Sequence, residues 1–236
     1  MQTIKQPYLL FLGDAADALA AKSARGIVDW RPDACTGQIR LPNCNADLGL
    51  TDMTLSEGRD AGAQTLVIGV ANRGGIISGE WIGVLTEALA LGYDLAAGLH
   101  NKLSDVPALA QAAAEHGRQL FDVRHPTESF PVANGKKRKG KRLLAVGTDC
   151  SVGKMYTTLA IEKEMKARGM NADFRATGQT GILITGSGVS IDAVVADFIA
   201  GAAEELSPDN ADDHWDVIEG QGALLHPSYA GVSLGL

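Results

Sequence analysis

Short apolar runs stopped by glycine alternate, through the first half of the chain, with segments of helical spacing. Residues 8–12 are apolar throughout and end at Gly13, the pattern of a strand buried on both faces. Asp14 stands where it would cap a helix over 15–22. Residues 65–70 read as a second buried strand and about 80–91 as a helix. Residues 95–99 read as a strand, 107–116 as a helix opened by Pro107, and 119–123 as a strand. Strands alternating with helices predict βαβ units and a parallel sheet, an α/β domain over 1–130. No G-x-G-x-x-G follows the first strand, so the dinucleotide fingerprint is missing.

The pattern breaks between His125 and Arg142, where Pro126, Pro131, Asn134 and Gly135 mark a linker. Residues 136–142 then place six basic side chains among seven. The ordinary reading is a solvated linker over 131–142; the sharper one is a basic rim beside a bound phosphate. A second α/β domain starts afresh over 143–236. Its strand at 143–146 leads into a glycine-rich loop and a helix that Gly169 stops near 168. A strand at 173–176, a helix from the Ser190 cap through 203, an acidic loop at 207–214 and a strand end at 217–222 follow. For a parallel sheet of this kind Leu236 is an early stop, and further residues are expected beyond it.

Composition narrows the class. Of 236 residues, 45% are hydrophobic and 21% charged, a globular balance that excludes disorder. Aromatics are only 5% and glycines number 28, which suits tight strand-to-helix turns. A formal charge of −7 offers no general electrostatic case for nucleic acid. Cys35, Cys44 and Cys150 are odd in number and lack CxxC spacing, so a reducing cytoplasm is expected. No apolar run reaches the ~18–20 residues of a spanning helix, and Gly13 ends the first run too early for a signal peptide. A soluble cytoplasmic protein with no membrane partner is expected, as a homo-oligomer.

The strongest chemical signal is Gly147, Thr148, Asp149, Cys150, Ser151, Val152, Gly153 and Lys154, set between a strand and a helix. A glycine-rich turn there points backbone N–H groups around an anion, and the helix N-terminus and Lys154 add positive charge. The loop departs from the usual pattern twice. Five residues separate its glycines rather than four, and Met155 follows the lysine where Ser or Thr would supply a hydroxyl to Mg²⁺. A thioether is a poor ligand for a hard cation. Thr157 and Thr158 lie further along and miss the metal-facing position. The loop is thus read as gripping a diphosphate that is a handle rather than a bond to be broken.

This loop resembles that of dethiobiotin synthetase and its amidoligase relatives, which also carry the extra residue and a Gly-Thr-Asp opening. Residues 217–222 are similar to the strand end of the same enzymes, though those relatives keep Thr where this chain has Met155. Asp122 to Arg124, Gly147 to Met155, Arg175 to Thr180, Ala193 to Glu204, Glu219 to Ala223 and His226 to Ser228 together resemble a closer family. It joins an N-terminal Rossmann-like domain to a C-terminal P-loop domain, and its characterised members are D-glutamate N-acetyltransferases (DgcN). The resemblance implies acetyl transfer from acetyl-CoA to the amine of D-glutamate, in D-glutamate catabolism. Acetyl-CoA carries a diphosphate that acyl transfer leaves intact, which agrees with a P-loop lacking its Mg²⁺ hydroxyl. The common acetyltransferase signature has no convincing counterpart; Arg59 to Gln64 comes nearest and ends wrongly.

Amide formation from a thioester needs a deprotonated amine and a stabilised oxyanion. Glu219, at the carboxyl end of a strand beside the loop, is the leading base; a carboxylate that only organises the loop is the equal alternative. Histidine is the side-chain type suited to proton exchange near neutrality, so His226 is a second candidate, although a loop histidine before proline is more often incidental. Ser228 could donate to an oxyanion, and Gly220 and Gly222 could let backbone N–H groups approach the thioester carbonyl; a turn-forming serine after proline and a simple tight turn are the plainer readings. A glutamate substrate calls for guanidinium forks or N–H donors, which points to Arg175 at a strand end and to Gln179 and Thr180 on the loop after it. Arg175 serves equally to contact a CoA phosphate. Asn72 and Arg73, and His100 to Lys102, follow buried strands and are further candidates. Cys150 has no neighbouring histidine, so a covalent acyl-enzyme is not expected. His116, His125 and His214 lack ligand spacing, and no metal site is expected. The alternatives are an ATP-dependent ligase with Glu219 on a metal, and a non-catalytic nucleotide-binding regulator.

Overall fold

The computed structural model describes residues 3–70, 77–126 and 129–236, which fall into two compact units, 3–125 and 126–236. In the first, β1 (Tyr8–Gly13), β2 (Cys35–Arg40), β3 (Thr65–Ile68), β4 (Asp94–Ala97) and β5 (Leu120–Asp122) form one parallel sheet in the order β2-β1-β3-β4-β5. Every residue of β1, β3 and β4 is buried, which explains the continuous apolar runs. The helices are α1 (Lys22–Trp30), α2 (Leu55–Asp60), α3 (Gly79–Ala90) and α4 (Pro107–His116).

The helix expected over 15–22 lies instead at α1. Asp17 accepts a hydrogen bond from the Ala20 N–H at 2.8 Å, closing a turn ahead of the helix. Asp14 does not cap; it accepts from the Trp81 indole Nε1–H at 3.0 Å. That indole packs edge-on to Phe11 with ring centroids 5.3 Å apart. Gly13, at φ +52°, leaves the room it needs, since a Cβ there would lie 2.4 Å from the Trp81 ring. The sequence reading missed both β2 and α2. β2 buries the Gln38 amide, which donates to Asp47 Oδ1 at 2.9 Å and Asp52 Oδ1 at 3.0 Å and accepts from the Leu48 N–H. A strand whose anchor is a buried glutamine gives no apolar signal. α2 carries a capping box from Thr54 to Glu57, which the sequence does display.

The second unit is a parallel sheet of β6 (Lys141–Leu144), β8 (Trp215–Ile218) and β7 (Ala172–Arg175), with β8 central. Around it lie α5 (Lys154–Ala167), α6 (Gln179–Thr185), α7 (Ile199–Leu206) and α8 (Ala230–Gly235). Leu144 and Ile218 share one face, where Ile199, Ala202 and Leu206 of α7 pack with Phe130, Val189 and Ile191. The single helix expected over 190–203 is broken into two 3-10 turns, Ile191–Ala193 and Ala196–Phe198, before α7 begins. Ser190 Oγ bonds Asp192 rather than a helix N–H, and the Ile191 N–H is drawn to Thr177 O at 3.0 Å.

The basic run is tied down. Arg138 Nη1–H donates to the carbonyls of Ala203, Glu204 and Ser207 at the C-terminus of α7, where a cation meets the negative end of the helix dipole. Arg142 lies within β6 and donates to Ser207 Oγ at 2.7 Å and Pro208 O at 2.9 Å. Neither arginine rims the phosphate loop, because that loop follows the opposite, carboxyl end of β6. Lys136, Lys137, Lys139 and Lys141 are exposed. Among the described residues no helix is long and apolar enough to cross a membrane.

Candidate active site

The loop from Gly147 to Gly153 joins β6 to α5, as the phosphate-binding reading requires. Gly153 takes φ +97° as the N-cap of α5, and Ser151 is also left-handed at φ +57°. The extra loop residue is thus absorbed by two positive-φ positions, one of them carrying a side chain. Asp149 Oδ1 accepts from the Cys150 N–H at 2.7 Å, and Lys154 Nζ donates to Asp149 O at 2.9 Å. The ammonium therefore lies inside the loop. Leu224 N–H donates to Gly147 O at 2.9 Å, fastening the segment after β8 to the first residue of the loop. Thr148 is exposed, as is Val152, while Met155 is half-buried. Thr158 Oγ1 donates to Lys154 O at 2.6 Å, so its hydroxyl serves the helix, and Thr157 is exposed.

Glu219 follows β8 directly, at the carboxyl end of the central strand. Gly220 comes next, and a Cβ there would fall 1.6 Å from Ala145 O and 3.2 Å from Lys154 Cδ. Only a bare backbone lets the two strand ends approach so closely and brings Glu219 beside the loop lysine. The Glu219 side chain is 3% exposed. Its Oε2 accepts from the N–H groups of Thr177 at 2.9 Å and Gly178 at 3.1 Å, and its Oε1 from Gln221 Nε2–H at 3.2 Å. Burial pushes the carboxyl up to about 7, with the Asp192 charge adding to the rise. The two N–H donors and Lys154 pull it back. A carboxyl set near neutrality beside an anion loop suits proton transfer.

The other expected residues are placed as follows. Arg175 ends β7 opposite Ile218, and its Nε–H donates to Asp216 Oδ1 at 2.7 Å, which turns the guanidinium back toward the amino end of β8. Gln179 and Thr180 are not on a loop but form the first turn of α6, immediately after the Thr177-Gly178 amides that hold Glu219. His226 stacks on Tyr229 with centroids 4.5 Å apart, and its Nδ1 accepts from the Ser228 N–H at 3.1 Å. Asn72 and Arg73 lie outside the described residues. In the first unit the His100 carbonyl is bonded by His125 Nε2, and Asp122 holds the Leu103 and Ser104 amides. Cys150 is half-buried in the loop. Among the described residues, no group of three or more His, Cys, Asp or Glu is arranged to hold a metal ion.

Sequence reading missed the clamp on Glu219. Thr177 is fully buried, and besides its N–H bond its Oγ1 donates to Glu219 O at 2.7 Å. Gly178 and Gly181 wall the carboxylate: a Cβ on Gly181 would meet Glu219 Oε2 at 2.3 Å. A Thr-Gly pair followed three residues later by glycine was the available sign. Also missed was a buried cluster at the amino end of the sheet. Asp216 there accepts from Ser207 Oγ at 2.5 Å, from Arg175, and from His214 Nε2 at 3.2 Å.

Residues 131–236 match the model of the DUF1611 C-terminal P-loop domain, and residues 40–126 that of its N-terminal Rossmann-like domain. A D-glutamate N-acetyltransferase of Tritonibacter scottomollicae is 66% identical over 233 residues, 99% of this chain and 70% of the relative. One from a Pseudoalteromonas species is 53% identical over the same shares. The crystal structure of a DUF1611 family protein from Anabaena variabilis aligns with TM-score 0.74 at 31% identity, covering 98% of this chain and 70% of that one.

Proposed function

The chain belongs to the DUF1611 family and is an acetyltransferase like its curated relatives; from that premise we propose that it transfers the acetyl group of acetyl-CoA to the amine of D-glutamate. The observation that carries the reading is a buried carboxylate, Glu219, fixed at the end of the central strand beside an anion loop whose lysine is followed by Met155. The loop amides and Lys154 hold the CoA diphosphate, which the reaction leaves intact. Glu219 takes a proton from the substrate ammonium, directly or through water. The freed amine attacks the thioester carbonyl and the C–N bond forms; the nitrogen gives up its second proton as the C–S bond breaks, and the departing CoA thiolate takes that proton up. His226 is the second candidate for the base. Gln179 and Thr180 supply hydrogen bonds to the glutamate carboxylates, while Arg175 keeps its Nε–H on Asp216. On this reading the enzyme acts in D-glutamate catabolism.

The test is free-thiol release from acetyl-CoA with D-glutamate, L-glutamate or no acceptor, with Mg-ATP turnover as the control. Release that depends on D-glutamate and needs no added Mg²⁺ is expected. ATP turnover without thiol release would overturn the reading in favour of a ligase, and tight nucleotide binding with neither would favour a regulator. Lys154→Ala removes a charge-assisted bond to phosphate, worth about 1.5–3 kcal/mol. The KM for acetyl-CoA should therefore rise about 10- to 100-fold, with little change in the KM for D-glutamate. Equal rises in both would show that Lys154 supports the loop instead of the ligand.

A further inference from the structure

We infer that Gln221 is a positioning residue for Glu219: its side-chain amide fixes the one carboxylate oxygen left to exchange a proton and favours that carboxylate's charged form. The inference rests on the reading of Glu219 as the base. It begins with an asymmetry between the two oxygens. Oε2 accepts from two backbone N–H groups, Thr177 at 2.9 Å and Gly178 at 3.1 Å, so its lone pairs are committed. Oε1 accepts from Gln221 Nε2–H at 3.2 Å, which leaves it one lone pair for a substrate ammonium or a water.

Gln221 is itself held through its main chain. Ser233 of α8 donates from Oγ to the backbone carbonyl of Gln221 at 2.6 Å, and Ser233 is buried. Gly222 then turns the chain at φ +72°, where a Cβ would lie 2.3 Å from Tyr229 O. On the far side a Cβ on Gly178 would lie 2.3 Å from Gln221 Nε2. The amide therefore packs against bare backbone and has little room to rotate. The charged groups acting on Glu219 are Lys154 of α5, which favours the carboxylate, and Asp192 of the 3-10 turn after Ser190, which opposes it. The remaining neighbours, Thr177, Gly178 and Gly181, carry no charge. Gln221 is thus the uncharged side chain that can tilt the balance without altering the charge of the site.

The test compares kcat/KM against pH for the wild type, Gln221→Met, Ser233→Ala and Glu219→Gln, with thermal melts to confirm folding. Met matches the length of Gln and removes the donor. For Gln221→Met the acid limb should move up by about one pH unit, so that activity drops about tenfold below the limb and recovers to the wild-type plateau above it. Ser233→Ala, which loosens Gln221 without touching its amide, should move the limb the same way by less. A loss of equal size at every pH would mean a merely structural role and overturn the inference. An unmoved limb in both variants, with Glu219→Gln inactive, would overturn it while leaving the base reading intact. Full activity in Glu219→Gln would remove the base and the positioning role together. If Gln221→Met fails to fold, the Ser233→Ala limb decides.

Discussion

Replacing Glu219 by Gln should lower kcat by about 10²- to 10⁴-fold, the usual contribution of a positioned general base, with the KM for acetyl-CoA nearly unchanged. The amide is isosteric, and its carbonyl oxygen can still accept from the Thr177 and Gly178 N–H groups, so the turn between β7 and α6 should survive. Its NH₂ would face the Gln221 donor, so the variant loses that one hydrogen bond. Circular dichroism and a melting curve close to wild type would separate lost chemistry from lost structure. Burial has pushed the carboxyl up to about 7, so in the wild type Glu219 is mostly protonated below that pH. Activity is then gained as pH rises: log kcat/KM should climb with unit slope below about 7 and level off above. A Glu219→Gln variant within a few-fold of wild type, or an unchanged limb in its residual rate, would leave His226 as the base to test.

The largest effect on stability is expected from Asp216→Ala. Asp216 is 1% exposed and bonded by Ser207, Arg175 and His214, and Arg142 in turn donates to Ser207. Removing the carboxylate leaves the Arg175 guanidinium half-buried without its counter-charge, a change that costs about 3–5 kcal/mol when a buried pair is broken. Urea unfolding should show this as a lower midpoint with little change in slope. Burial alone would push the Asp216 carboxyl up, but the Ser207, Arg175 and His214 bonds more than reverse it and hold it below the ordinary carboxylate range. A depressed carboxyl contributes stability that is present above the unfolded value of about 3.9 and lost as pH falls below it. The gap between wild type and Asp216→Ala should therefore narrow in acid. As a control, Glu164→Ala breaks a 2.7 Å pair with Arg168 whose side chains are 62% and 72% exposed, and it should leave the midpoint unmoved.

These two residues also mark where sequence reasoning reaches its limit. β1, β3 and β4 were legible because strands covered on both faces must be apolar throughout, and α4 because Pro107 opens it and Gly117, at φ +60°, closes it. The phosphate loop was legible because its glycines are required by local backbone geometry. Glu219 could be picked out by position, at the end of a strand beside that loop. Its partners could not, since Thr177 and Gly178 reach it from 42 and 41 residues away. β2 hid behind a buried glutamine, and Asp216 behind a pattern in which a charge inside a strand reads as a solvent face. The helix expected from Ser190 failed for a related reason. A long-range bond from Ile191 to Thr177 outweighed the local capping preference. Polar groups that satisfy one another across the fold leave no period to read.

One backbone contact also has a consequence on the timescale of amide exchange. The Leu224 N–H donates to the carbonyl of Gly147, so the loop and the chain beyond β8 are fastened together there. Solvent deuterium cannot replace that proton until the fastening lets go, and a ligand that clamps the loop holds it shut. Exchange at residue 224 should therefore slow when a diphosphate ligand such as CoA is added, although the fastening itself is made to the loop backbone. A single amide becomes a gauge of occupancy, readable without any turnover. Were its exchange unchanged at saturating CoA, the loop and the returning chain would have to breathe independently.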